Sequence, residues 1–315
     1  MESEILKQSR LNIRTHYTDP TPLVRLEGIP LLTKGNISAI VGAPKSRKTF
    51  FATMLVGAFL NRSLYDFTSE TSGKVLWIDT EQSMGHSSRV YRRINMLRGQ
   101  CEDADQPDLI YLNLRDFSAP RRYELVKEAI TTYNPLLVII DGIADLLESN
   151  NDELKANEIQ DYLLSATKQL NIHILSVIHS NFGSDKARGH TGSNLVRKCE
   201  TIMTVIPDKG KDCSVVFFTT RDEQPSKLAF TIDNEGLPCI DDIPTRRAPK
   251  LEEVITCMNC SEQLTHGELV ARIVDFREKA GSPCGESRAK AILGEMYQQG
   301  MIKCKNRRYM RVRGA

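Results

Sequence analysis

The sequence predicts an α/β domain with a mainly parallel central sheet, followed by a small C-terminal helical module. Three observations carry this reading. From about residue 30 to about residue 240, short apolar runs alternate with helical patterns. Several runs are rich in Val, Ile and Leu without polar alternation, as strands buried on both faces require. The first run, Ile37–Val41, passes through Gly42-Ala43-Pro44-Lys45-Ser46-Arg47-Lys48-Thr49 into an apolar helical stretch that begins at Phe50.

Taken in order, the expected strands are Ile37–Val41, Val75–Ile78, Leu109–Leu112, Leu136–Ile140, His173–Ile178, Thr201–Ile206, Ser214–Thr219 and Leu228–Ile232. The last two are joined by a short polar loop and read as a hairpin. The expected helices between strands are Phe50–Leu60, Ser87–Leu97, Tyr123–Tyr133 and Glu153–Leu170. Residues 241–250 lack apolar periodicity and contain two prolines, Pro244 and Pro249, which marks a linker. Beyond it, helices are expected near Leu251–Cys260, at His266–Lys279 and at Glu286–Gln298. Thr265 and Glu268 offer a capping box to the second, and Gly300 closes the third. Met301–Lys305 and Arg308–Arg313 then read as two strands. Three helices and a β-hairpin predict a winged helix-turn-helix. The expected organisation is an α/β domain over 1–240, a linker over 241–250 and the winged helix-turn-helix over 251–315.

A chain of 315 residues can bury one large core and one satellite core. Lys and Arg total 42 against 40 Asp and Glu, so overall charge does not by itself point to nucleic acid. The distribution says more, because residues 301–313 hold six basic residues and no acidic one. The eight cysteines are scattered, the first residues are polar, and no apolar run approaches the roughly 18 residues needed to span a bilayer. A cytoplasmic protein with reduced thiols and no membrane partner is expected. Cys257 and Cys260 form a C-x-x-C, with Cys284 and Cys304 further on. A zinc site from these four is one reading, and cysteines packed in a short helix and a strand is the other.

The segment Gly42–Thr49, between strand and helix, has the layout of a phosphate-binding P-loop, G-x-x-x-x-G-K-[ST], with Arg47 in the place of the second glycine. Backbone N–H groups of such a loop and the following helix N-terminus face phosphate. Lys48 is expected on the terminal phosphates and the Thr49 hydroxyl on Mg²⁺. The loop residues Gly42, Ala43, Pro44, Lys45, Ser46, Arg47, Lys48, Thr49 and Phe50 are the candidate ATP site. Asp141 ends an apolar strand, where ligands bind in open α/β sheets, and is the second candidate for Mg²⁺. Asp79 and Glu81 end another strand. Glu81 is the candidate base for water and Asp79 its reserve. His179 ends the next strand and is placed to touch the terminal phosphate. The expected cofactors are therefore ATP and Mg²⁺.

Together with Arg188-Gly189 and Ser193-Asn194-Leu195-Val196, these motifs resemble the RecA-like ATPases, most of all the RepA-type hexameric plasmid replicative helicases, over about residues 25–235. The resemblance implies a RecA-like P-loop NTPase domain in a homo-oligomeric ring or filament, hexameric in the RepA type. It implies ATP between subunits and single-stranded DNA gripped by two loops, 143–152 and 180–194. Lys186 and Arg188 are the DNA-binding candidates of the second loop. Arg197, Lys198 and Arg221 are candidates for a residue acting on the neighbour's site. Two departures stand out: Arg47, and the acidic residues Asp145, Glu148 and Asp152 in the first loop. In the winged helix, Arg288 and Lys290 on the third helix and Lys305, Arg307 and Arg308 in the hairpin suit phosphate contacts with duplex DNA. Protein contact is the alternative for this module. The first functional reading is an ATP-driven helicase or DNA motor. The second is a non-processive, ATP-gated DNA-binding accessory or regulator of replication, mobilisation or recombination of a mobile element. A recombination-mediator or circadian-type ATPase is the third.

Overall fold

The computed structural model describes all residues except 1–2, 150–151, 181–193, 209, 211, 242–250, 260–261, 280–283, 306–307 and 313–315. The chain divides into two compact units, Met1–Ile243 and Pro244–Ala315.

The first unit opens with helix α1 (Glu4–Ser9) and strands β1 (Pro22–Leu26), β2 (Ile29–Thr33) and β3 (Ile37–Gly42). Helix α2 (Lys48–Asn61), strands β4 (Ser63–Leu64), β5 (Phe67–Thr68) and β6 (Val75–Asp79), and helix α3 (Met84–Leu97) follow. Then come β7 (Leu109–Asn113), α4 (Ala119–Tyr133), β8 (Leu137–Asp141), α5 (Glu153–Leu170) and β9 (His173–His179). The unit closes with β10 (Thr201–Asp208), β11 (Cys213–Thr220), β12 (Leu228–Ile232) and β13 (Pro238–Asp241). The central sheet runs β13-β12-β11-β10-β3-β9-β8-β6-β7. Its members from β10 to β7 are parallel, whereas β10 to β13 form an antiparallel meander. This is the mainly parallel α/β fold that the apolar runs predict.

Both faces of the sheet are covered, which is why its strands carry no polar alternation. On one face Ile40, Trp77, Ile139 and Leu175 pack with α2 and α3. On the other Ala39, Val41, Leu76 and Ile140 pack with α4 and α5. Helix α2 is hydrophobic on every side, and each residue from Phe51 to Phe59 is buried. Phe51 stacks on Phe230 with centroids 6.1 Å apart and meets the edge of Phe67 at 6.1 Å. Burying each such ring stabilises the fold by about 1.5–3 kcal/mol.

Several elements depart from the sequence reading. A small sheet, β2-β1-β5-β4, lies outside the predicted set. Its β4 and β5 strands are two residues long, and Pro22 and Pro30 interrupt the β1 and β2 patterns. Asp241 belongs to edge strand β13, so the first unit continues past residue 240; 242–250, where the linker is expected, lie outside the described residues. The first expected DNA loop begins in core, while Glu148, Ser149 and Asp152 are exposed. Residues Ile143–Leu146 form a 3-10 turn with Ile143 and Leu146 buried, and Leu147 is buried after them. Asp145 accepts from the Thr80 hydroxyl at 3.1 Å, and Asp152 caps α5 through the Lys155 N–H. Two of the three acids there are thus structural.

The second unit contains α6 (Leu251–Val254), β14 (Leu264–Thr265), α7 (His266–Lys279), α8 (Glu286–Gln298), β15 (Ile302–Lys305) and β16 (Arg308–Arg311). The first helix is shorter than expected, because it tightens into a 3-10 turn at Ile255–Cys257. The capping box forms: the Thr265 N–H donates to Glu268 at 2.8 Å and the Glu268 N–H to Thr265 Oγ1 at 3.4 Å. The sheet order is β14-β16-β15, and the unit has its own core of residues that include Ile255, Leu269, Ile273, Ala289 and Met296. Among the described residues, no helix is long and apolar enough to cross a membrane.

Candidate functional site

The site assembles where β3, β9, β8 and β6 end, because the parallel register sets those ends side by side. Gly42 pairs with His179 across β3 and β9, and Asp79 with Asp141 across β6 and β8. Gly42 admits no side chain, since a Cβ there would stand 2.5 Å from the Val205 carbonyl and 2.6 Å from Ser46 Oγ. The loop then turns through two left-handed residues, Lys45 (φ 63°) and Arg47 (φ 70°). A glycine takes that conformation freely, whereas an L side chain costs roughly 1–2 kcal/mol there. Arg47 lies at the wall of the site's cavity, partly buried. Its guanidinium donates to the Asp212 carbonyl at 2.9 Å and pairs with the Asp212 carboxylate. Ser214, on the same β10–β11 hairpin, donates to the Ser46 carbonyl at 3.2 Å.

Lys48 Nζ donates to the carbonyls of Gly42 (3.0 Å) and Ala43 (2.9 Å) and to His179 Nδ1 (3.2 Å). With Nδ1 accepting, the ring proton stands on Nε2 and is donated to Glu81, whose oxygens lie at 3.1 and 3.2 Å. Lysine, histidine and glutamate thus form one relay. Burial holds the Lys48 ammonium below its usual range, against the pull of Glu81 and Asp141. The hydrogen bond from His179 holds the Glu81 carboxyl below its ordinary value. Thr49 Oγ1 donates to Asp141 Oδ2 at 3.0 Å. Burial, then Asp79 and Glu81, push the Asp141 carboxyl up to about 7. A hydroxyl and a carboxylate this close, both oxygen donors amid further negative charge, fit Mg²⁺, which binds through one or two carboxylates plus phosphate oxygens.

Asp79 is not a reserve base. It is fully buried and accepts from the N–H groups of Glu81 (3.0 Å) and Gln82 (2.9 Å), from Ser87 Oγ (2.7 Å) and from the Tyr111 hydroxyl (2.9 Å). Its oxygens shape the turn that delivers Glu81. The strand ends at Asp79, so Glu81 reaches the site from that turn.

A cavity of about 530 Å³ joins these groups. It runs from the P-loop past Phe50 to helix α3, which contributes His86, Arg89 and Arg93. Sequence reasoning missed these three. Their signal was polar residues at i, i+3 and i+7, one face of a helix. It also missed Asp212, which no motif marks.

Other predicted residues lie elsewhere. Arg197 and Lys198 are exposed and outside this cavity. Arg221 follows β11, whose Thr220 pairs with Thr201 beside Ser38, at the opposite end of the sheet from the P-loop. There it lines a cavity of about 780 Å³ with Thr33 and Glu200. Lys186, Arg188 and Arg307 lie outside the described residues. In the second unit Arg288 pairs with Glu295 at 3.1 Å and Lys290 with Glu286 at 3.4 Å, so both basic residues of α8 are engaged by acids of their own helix. Lys305 and Arg308 are exposed. Among the described residues, no group of three His, Cys, Asp or Glu side chains is placed to hold a metal ion; Cys260 lies outside them. Burial pushes the Cys257 thiol up to about 11, which suits a packed cysteine.

Among solved structures, the chain is similar to one described as the RadB recombinase, with 19% identity over 69% of this chain and 94% of that one, at a TM-score of 0.49. It is also similar to a second one described as an ATPase domain, with 13% identity over 67% of this chain and 86% of that one, at 0.48. No curated protein matches it. Residues 8–185, more than half of the 315, match the model of a family described as AAA domain; they hold the whole P-loop, Glu81, Asp141 and His179, and the chain belongs to that family.

Proposed function

We propose that this chain binds Mg-ATP at the β3–α2 loop, hydrolyses it with Glu81 as the base, and acts on DNA as a cytoplasmic homo-oligomer of the RecA-like kind. The observation that carries the reading is the continuous relay from Lys48 through His179 to Glu81, beside the Thr49–Asp141 pair. Terminal phosphates compete for Lys48 with the Gly42 and Ala43 carbonyls and with His179. When Lys48 turns to phosphate, His179 Nδ1 loses its donor, and the ring that orients Glu81 registers that the site is filled. Glu81, ionised by its bond to His179, takes the proton of the attacking water. Thr49 and Asp141 would hold Mg²⁺, which would supply positive charge to offset that of the phosphates.

The DNA part rests on the sequence resemblance to RepA-type helicases and on the basic C-terminal hairpin. We read the second unit as a winged helix, with Lys305, Arg307 and Arg308 on DNA phosphates. A hexameric ring, completed by Arg197, Lys198 or Arg221 of a neighbour, belongs to the same reading. The second reading, an ATP-gated accessory without processive unwinding, is favoured by the buried turn at Ile143–Leu146 and by the ion-paired Arg288 and Lys290.

One comparison separates the two. ATP turnover is measured with and without single-stranded DNA, for the wild type and for Glu81→Gln. The motor reading expects DNA-stimulated turnover that falls about 10²-fold or more in the variant. ATP binding with no turnover in either protein overturns it and leaves the accessory.

A further inference from the structure

The cavity beyond the phosphate loop has a wall that the ATP chemistry does not use. Arg93, on α3, lays its guanidinium over the Phe50 ring, 3.7 Å from the centroid. Its Nε donates to the Gly236 carbonyl, in the β12–β13 turn, at 3.0 Å. Phe50 directly follows Thr49, so this stack begins one residue from the phosphate end of the cavity, and both residues line it. A guanidinium layered on one ring and tethered at Nε is a flat, rigid, cationic plate. Phe50 occupies one of its faces.

We propose that Arg93, backed by Phe50 and fixed by Gly236, is the nucleobase platform of the site, and that a purine ring stacks on its remaining face. Stacking on a planar cation suits any flat π-system, and a purine offers more area than a pyrimidine. Burial lowers the Arg93 guanidinium to about 10, so it stays charged at neutral pH while poorly hydrated, the state in which cation–π contact is strongest. Stacking reads the area of the ring rather than its substituents, so the platform holds a purine triphosphate more tightly than a pyrimidine one. Arg93 is in this reading a nucleobase-binding residue, not a group of the hydrolytic step.

This inference rests on the proposed ATP site, and its test keeps the two apart. Affinities of Mg-ATP, Mg-CTP and Mg-tripolyphosphate for the full chain are measured by calorimetry, for the wild type, Arg93→Ala and Arg93→Lys. Thermal melts control for folding, and the lysine variant keeps charge and chain length if the alanine variant fails to fold. The platform expects Mg-ATP to bind about tenfold more weakly in Arg93→Ala. It expects most of that loss to persist in Arg93→Lys, which keeps the charge without the plane, and Mg-tripolyphosphate to bind all three alike. Unchanged Mg-ATP affinity, parallel loss of ATP and tripolyphosphate, or full rescue by lysine overturns the platform and leaves the ATP site standing. A wild type that binds neither ATP nor tripolyphosphate overturns the ATP site itself, and the platform with it.

Discussion

His179 is the residue on which the site turns, because among the described residues it is the one hydrogen-bonded to both the loop lysine, Lys48, and the candidate base, Glu81. Each of His179 and Glu81 is about one-third exposed, at 35% and 36%, so water reaches the pair. The hydrogen bond donated by Nε2 favours the charged carboxylate and lowers its proton affinity. His179→Ala removes that donor, and the Glu81 carboxyl then titrates at higher pH. The acid limb of the turnover-against-pH profile is expected to move up in pH; an unmoved limb would show that Glu81 does not control it. Arg47 answers to a different balance. Arg47→Gly relieves the left-handed strain but loosens the unfolded chain and loses the Asp212 contacts, one stabilising term against two destabilising ones of about 1 kcal/mol each. The variant is expected to unfold within about 1 kcal/mol of the wild type in urea and to keep binding Mg-ATP. A loss well beyond that would mean that the Asp212 link dominates.

At the scale of elements, strand ends and the turns after them decide the geometry. Gly142 follows β8 at φ 102°, and a Cβ there would stand 2.2 Å from Thr80 Oγ1 and 2.8 Å from Glu81 Cγ. Thr80 Oγ1 in turn has the Asp141 and Gly142 carbonyls and the Asp145 carboxylate within hydrogen-bond reach of its single proton. Gly142→Ala is therefore expected to cost several kcal/mol in chemical denaturation, on the order of 2–4, and to cut turnover by displacing Glu81. Normal stability with normal turnover would refute the crowding. Asp79, by contrast, ranks as a second acid in the sequence only because its hydrogen bonds are invisible there. The buried parallel strands were legible because burial on both faces leaves an unbroken apolar run; Lys48 and Thr49 were legible from the loop motif between β3 and α2, and Asp141 and His179 because each stands at a strand end. β1, β2, β4, β5 and β13 were not, being short, proline-broken or edge strands with little apolar signature. Arg93 and Asp212 escaped because they reach the site through side-chain contacts across 43 and 165 residues of chain, from Phe50 and Arg47 respectively.

At the scale of the whole molecule, two cores imply two folding units. Fragments 1–243 and 244–315 are expected to fold separately, each with a cooperative melt by circular dichroism, and the first to keep Mg-ATP affinity on its own. An unfolded first fragment would mean that its core needs the second unit. The larger unit has one further property. After a first turn that faces the cavity, helix α2 is buried at every residue from Phe51 to Phe59, which leaves it little room to roll or slide. The loop is thus mounted on a firmly held post, and its side-chain links run to α3 on one flank, through Phe50 and Arg93, and to the β10–β11 hairpin on the other, through Arg47 and Asp212.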